Sequence, residues 1–130
     1  MIVVDASAVL EVLLRTPTAT AVERRLFEPS QTLHAPHLLD VEVAQVVRRY
    51  AANGEIDVER GRTALADLAD LPLHRYPHDF LLPRVWDLRS NFTACDAMYV
   101  ALAEALDAPL LTRDKRLAAS PGHHARIELV

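Results

Sequence analysis

Asp5, Glu42, Asp96 and Asp114 are the residues of this sequence best suited to chemistry. Carboxylate oxygens hold hard divalent cations such as Mg²⁺ or Mn²⁺, and a cation held that way drives the hydrolysis of phosphate esters. Zinc would instead recruit histidine or cysteine. The six histidines show no HExxH or similar ligand spacing, and His123-His124 falls in a Pro-Gly loop that reads as surface. Cys95 is the only cysteine, so it has no partner for a disulfide or a thiolate zinc site. It reads as a small side chain beside Asp96.

The four acids are far apart in the chain, and their local patterns say how they are positioned. Asp5 ends the apolar run Ile2-Val3-Val4, and Asp114 follows Leu110-Leu111-Thr112, so both fall at the carboxyl ends of expected buried strands. In an open parallel sheet that edge is where ligands bind. Glu42 lies in a helical segment from His37 to Asn53, whose apolar stripe is read as Leu39, Val43, Val46 and Tyr50. It projects from the edge of that stripe, where an ionised carboxylate needs a partner. Asp96 is in the first turn of a helix expected over Ala94 to Leu106, at the positive end of the helix dipole.

Each acid also has a purely structural reading. Thr93-Ala94-Cys95-Asp96 matches a capping box in which Asp96 reaches back to the backbone. Asp5 and Asp114 are placed to cap the helices after their strands. Glu42 is placed to pair with an arginine at a helix edge. The functional reading comes from the combination, in which two strand ends and two helices each supply a carboxylate to one crevice. Such a cluster predicts coupled titrations shifted upwards when no cation is bound.

The rest of the chain alternates short strands with helices. After the strand Ile2 to Asp5 come helices over Ala6 to Leu14 and Thr18 to Phe27, broken at Thr16-Pro17-Thr18. A short strand is expected at Thr32 to Ala35. Pro36 opens the Glu42 helix, which stops at Asn53-Gly54. Asp57 caps a helix to Leu71 with Val58, Leu65, Leu68 and Leu71 among its apolar positions. Leu73 to Tyr76 reads as a strand, Leu81 to Arg89 as a helix, Pro109 to Thr112 as a strand, Lys115 to Ala119 as a short helix and Arg126 to Val130 as a last strand. The expected class is α/β.

A chain of 130 residues, 51% hydrophobic, supplies one core, and residues 1–130 are expected to form a single domain. There is no basic-then-apolar leader and no apolar run long enough for a membrane span, so the expected location is the cytoplasm. The net charge of -4 argues against holding nucleic acid mainly through a basic surface. Cations in the acidic cluster reverse that charge locally, and Arg15, Arg24, Arg25, Arg48, Arg49, Arg113, Lys115 and Arg116 are available for a positive rim. Arg113, Lys115 and Arg116 are the candidates for contact with a nucleic-acid backbone, with a solvated helix start as the alternative.

Four segments in order resemble the PIN-domain ribonucleases, specifically the VapC-type toxins of VapBC toxin-antitoxin modules. They are Met1-Ile2-Val3-Val4-Asp5-Ala6-Ser7-Ala8, Pro36-His37-Leu38-Leu39-Asp40-Val41-Glu42-Val43, the stretch from Asn91 to Ala103, and Leu110-Leu111-Thr112-Arg113-Asp114-Lys115-Arg116-Leu117-Ala118. Cys95 departs from the aromatic common at that place. The resemblance implies a PIN-like fold, a short mostly parallel sheet flanked by helices. It implies that Asp5, Glu42, Asp96 and Asp114 form a metal-binding catalytic pocket supported by Ser7 and Thr112. Asp5 and Asp96 are then the leading direct ligands of Mg²⁺, or of Mn²⁺, with Glu42 and Asp114 acting through water. It further implies RNA as substrate, a homodimer, and a cognate VapB-type antitoxin whose C-terminal segment lies in a groove near the site, for which the helical faces around Val9, Leu13, Val22 and Leu26 are candidates, with ordinary core as an equal alternative. Two other readings are a receiver-like Mg²⁺-binding signalling module and a catalytically silent PIN-fold binding protein. The receiver pattern fits poorly, because this chain draws two acids from helices and its only lysine, Lys115, directly follows Asp114.

Overall fold

In the computed structural model, which describes residues 1–130, a five-stranded sheet is flanked by seven helices. The order is β1 (Ile2–Val4), α1 (Ala6–Leu13), α2 (Ala19–Leu26), β2 (Leu33–Pro36), α3 (Leu38–Ala52), α4 (Val58–Asp70), β3 (Leu73–Tyr76), α5 (Leu82–Asp87), α6 (Ala94–Leu106), β4 (Leu110–Thr112), α7 (Lys115–Ala119) and β5 (Ile127–Leu129). All neighbouring strands pair in parallel, in the spatial order β3-β2-β1-β4-β5. The chain builds outward from β1 on one side, then returns to build on the other. The direction of winding therefore reverses between β1 and β4, and the crevice at the carboxyl ends of these two strands is the topological switch point. A receiver module has a different order, 2-1-3-4-5, so the topology removes that alternative.

The central strands are short, apolar and fully covered. Every residue of β1 and β4 is buried. Helix α6 lies across β1, β2 and β4 and buries an unbroken run from Ala97 to Ala103, which its alanines allow by letting the helix axis come close to the sheet. α1 contacts β4 as well as α2, α3 and α4. The inner faces of α1 and α2, including Val9, Leu13, Val22 and Leu26, are buried to within 3%. These four side chains take the core alternative and line no groove.

Two helix faces differ from the sequence pattern. In α3 the buried row is Leu39, Val43 and Val47, whereas Val46 and Tyr50 are half-buried beside Leu10 and Leu14 of α1. In α4 the buried face is Gly61, Ala64 and Leu68, while Val58 and Leu65 are 65% and 37% exposed. Close approach of the two helices explains both shifts. A Cβ on Gly61 would stand only 3.1 Å from Cγ1 of Val47, so the seam is too tight at that point for a larger side chain. The helix expected over Leu81 to Arg89 begins instead with a 3₁₀ turn at Asp79–Leu81 and ends at Asp87. The Asn53-Gly54 stop holds, with Gly54 at φ 75°.

Candidate active site

Asp5 leaves β1 in an extended conformation and caps α1. One carboxylate oxygen accepts the Ala8 N–H at 3.1 Å and the Ser7 hydroxyl at 2.6 Å, and the other accepts the Thr112 hydroxyl at 2.5 Å. Capping and pocket-lining are thus carried by the same side chain. Thr112, itself buried, also accepts the Asp114 N–H at 3.0 Å, and Ser7 accepts the Arg113 N–H at 2.9 Å. These bonds lock the ends of β1 and β4 together and set Asp5 and Asp114 on one rim. Asp114 caps α7 through a single oxygen, which takes the N–H groups of Arg116 and Leu117 at 2.8 and 3.3 Å.

The other two acids come from helices. Of the capping box at α6, the structure forms the Thr93 half, with the Asp96 N–H donating to Oγ1 of Thr93 at 3.2 Å. The Asp96 carboxylate returns no bond to the Thr93 N–H and lines the pocket instead. Glu42 has a phenol for a partner, and not the arginine of its purely structural reading: the Tyr99 hydroxyl donates to its Oε1 at 2.5 Å. Asp5, Ser7, Glu42, Asp96, Tyr99 and Asp114 surround one pocket of about 130 Å³. The structure therefore brings all four acids together, with Ser7 in the wall and Thr112 behind it.

Electrostatics follow from that convergence. Burial, reinforced by the charge of Asp96, pushes Asp5 up from the usual aspartate range against the pull of its hydroxyl and N–H donors. Burial also raises Glu42, with Asp96 and Asp5 adding to it and Tyr99 opposing. Asp96 is raised by burial and by Asp114, while Thr93 and Arg116 pull it back. Burial and the neighbouring Glu42 push the Tyr99 phenol far up, so it stays a proton donor. The Cys95 thiol is raised too, by partial desolvation and by the charges of Glu42 and Asp96.

These residues fit a hard divalent cation. Every donor is an oxygen, and carboxylates that disfavour one another's charge gain most from a cation between them. No three of them converge closely enough to enclose an ion by themselves. A cation held by Asp5, Glu42, Asp96 and Asp114 would need water or substrate oxygens to complete its shell, as Mg²⁺ commonly does at phosphate-transfer sites.

The three basic candidates separate in space. The Arg113 guanidinium is occupied with the Val130 carbonyl at 2.5 Å and Glu11 at 3.5 Å. Lys115 and Arg116 are exposed, and Arg116 stands near enough to Asp96 to ease its charge. Tyr99 is the site residue that reading the sequence missed. Its signal was available, since it lies three residues after Asp96 on the same helix and so shares its face.

Comparison with known proteins agrees with this geometry. The sequence profile of the PIN domain matches residues 2–122. Ribonuclease VapC12 of Mycobacterium tuberculosis (strain ATCC 25618 / H37Rv) is 45% identical over 130 residues, covering 100% of this chain and 99% of that protein. Ribonuclease VapC1 of the same strain is 49% identical over 129 residues, covering 98% and 96%. Among solved structures, that of VapBC2 from Rickettsia felis, bound to a DNA fragment from the promoter, is similar with a TM-score of 0.74 at 16% identity, covering 100% of this chain and 99% of that one. The fold also resembles Mycobacterium tuberculosis VapC20, described as a Sarcin-Ricin loop cleaving toxin, with a TM-score of 0.70 at 14% identity and coverage of 92% and 94%. The chain belongs to the PIN-domain family and, within it, to the VapC ribonucleases, the metal-dependent toxins of VapBC toxin-antitoxin systems.

Proposed function

We propose that this chain is an endoribonuclease that hydrolyses RNA phosphodiester bonds at the pocket formed by Asp5, Glu42, Asp96 and Asp114, with Mg²⁺ as its cation and Mn²⁺ able to replace it. The observation that carries the reading is the meeting of four carboxylates from four elements at the switch point of the sheet. A divalent cation, when bound, supplies the positive charge that neutralises the scissile phosphate and acidifies the attacking water.

The side chains divide the remaining work. Asp5, fixed by two hydroxyls and an N–H, and Asp96, at the start of α6, are the direct ligands. Glu42 is held by Tyr99 with its second oxygen free, and it orients the attacking water in line with the leaving oxygen. Asp114 keeps one oxygen outside its cap and serves the same shell from the opposite rim. Ser7 and Thr112 position Asp5 rather than touching substrate.

We extend the reading to the protein's setting on family grounds. One PIN domain spans residues 1–130, acts in the cytoplasm, forms a homodimer and is neutralised by a cognate VapB-type antitoxin. No helix is long and apolar enough to cross a membrane. Leu82 and Trp86, both more than half exposed on α5, offer an apolar face to a second copy.

The test is cleavage of a mixed pool of structured RNAs by the wild type and by Asp96→Asn, with Mg²⁺, Mn²⁺ or EDTA. The expected result is cutting with either ion, none with EDTA and none by the variant. Identical traces from the two proteins would show that the pocket is not the source of the cutting.

A further inference from the structure

Asp96 belongs to two depressions at once. Beyond the acidic pocket, it also borders a second one of about 210 Å³ whose polar walls are Asn91, Thr93, Arg116 and Ser120. Any RNA threaded through the acidic pocket meets a problem there. A bound cation neutralises the phosphate being cut, but the next phosphate along the strand still faces a carboxylate rim and needs positive charge of its own.

Arg116 is the group free to give it. Other arginines are committed inside the fold: Arg25 to Glu128, Arg75 to Asp40, Arg84 to Glu104, Arg113 to Glu11 and Val130, and Arg60 to the Leu13 carbonyl. Arg116 bonds only through its backbone, its N–H to Asp114 and its carbonyl to the Ser120 hydroxyl. Its guanidinium makes no hydrogen bond or ion pair within the protein, and only its charge reaches Asp96. The other walls are in a similar state. The Asn91 amide makes no hydrogen bond, and it occupies space that only a glycine at 122 leaves open, because a Cβ there would lie 2.5 Å from its Nδ2. Thr93 accepts the Asp96 N–H and sets its hydroxyl beside the Asp96 carboxylate, while Ser120 donates to Arg116 and keeps its lone pairs to accept. Unspent donors and acceptors beside a cutting site are what recognition of a polar substrate requires.

We infer that this depression is the subsite for the nucleotide adjoining the scissile phosphate, with Arg116 holding that nucleotide's phosphate and Asn91, Thr93 and Ser120 meeting the polar edges of its base and ribose. The inference rests on the endoribonuclease reading and adds to it a place on the α6–α7 side where the flanking sequence is read. The phosphate contact positions the strand, and the Asn91 side chain discriminates.

The experiment uses the full chain with Mg²⁺ and a fluorescein-labelled single-stranded RNA of mixed sequence, measuring initial rates over a salt series. Wild type is compared with Arg116→Ala, Arg116→Lys, Asn91→Ala and, as a control for lost surface charge, Arg62→Ala at an exposed position of α4. Arg116→Ala is expected to raise KM about tenfold with a much smaller change in kcat. The slope of log kcat/KM against log salt should fall by about 0.7, the contribution of one single-strand phosphate. Arg116→Lys should keep the wild-type slope. Asn91→Ala should keep it too while changing which bonds are cut. A wild type that cuts RNA while Arg116→Ala behaves like Arg62→Ala overturns the subsite alone. A wild type that cuts no RNA under any condition overturns the ribonuclease reading and the subsite with it.

Discussion

The Tyr99 hydroxyl donates to Glu42 Oε1 at 2.5 Å across 57 residues of sequence, joining the middle of α3 to the first turns of α6. Tyr99 is 2% exposed, so its ring is core and only its oxygen belongs to the site. A half-buried carboxylate is thereby held in one orientation by a neutral donor, which leaves its negative charge for a cation. An arginine in the same place would have neutralised the pocket.

Tyr99→Phe removes that oxygen and little else. The ring stays in the core, so the fold should persist, while Glu42 loses the contact that aims it. Loss of such an outer partner costs about 10- to 100-fold in metal affinity or activity. Both quantities are expected to fall together, read by Mn²⁺ titration and by RNA cleavage. A variant with wild-type affinity and rate would show that Tyr99 only packs.

Much of this architecture was legible in the sequence, and the failures have a common physical origin. α6 and α7 have the bounds that the pattern gives, because Thr93 and Asp114 are capping residues with unambiguous positions. Asp5 and Asp114 sit at the strand ends because a short apolar run followed by an acid has few other uses. What misled was size. Leu39, Val43 and Leu68 are buried as their spacing indicates, but Val46, Tyr50, Val58 and Leu65 were read onto the same faces, and Val47, Gly61 and Ala64 take the buried places instead. Tyr99 escaped notice for the converse reason, since a tyrosine inside an apolar helix looks like ordinary core until the residue opposite its oxygen is known. Contacts such as Arg113 with Glu11 and Val130 depend on how the chain returns on itself, which no local pattern encodes.

Thr112 makes a sharper test of the strand-end lock. Its hydroxyl donates to Asp5 and accepts from Asp114 N–H, so Thr112→Val keeps the shape and strips both bonds. Leaving buried polar groups unpaired costs about 1–3 kcal/mol. The variant should unfold at lower denaturant and cut RNA poorly, whereas Thr112→Ser should keep most of the activity. Equal activity in the two variants would mean that Asp5 does not depend on this hydroxyl.

Divalent cations should stabilise the fold. An ion that binds only the native state adds about 2.7 kcal/mol at one hundred times its Kd, so Mg²⁺ is expected to raise Tm by several degrees. Asp96→Asn should lose that response. It should also be at least as stable as wild type without the ion, since Asp96 pushes against both Asp5 and Glu42. An undiminished Mg²⁺ response in Asp96→Asn would place the ion elsewhere.

Acid should weaken the protein through a group remote from the cation. Glu104 on α6 receives Nε and a terminal nitrogen of Arg84 at 2.7 and 3.0 Å, and the His124 N–H at 2.8 Å. Burial alone would raise its carboxyl, but the Arg84 fork and the His124 N–H outweigh it and hold the carboxyl below its ordinary 4.5. With the folded value depressed, the unfolded chain binds its proton first as pH falls. The contribution is therefore complete above the unfolded value and is lost as pH drops through the folded one. Glu104→Gln should be clearly less stable than wild type near about pH 7, and the gap should close towards about pH 3. Urea midpoints at the two pH values measure it. Glu11 and Glu128 are depressed in the same sense, so the variant keeps part of the acid sensitivity, and the difference between the two proteins is what isolates Glu104. A gap of the same size at both pH values would mean that packing, and not the ion pair, accounts for the loss.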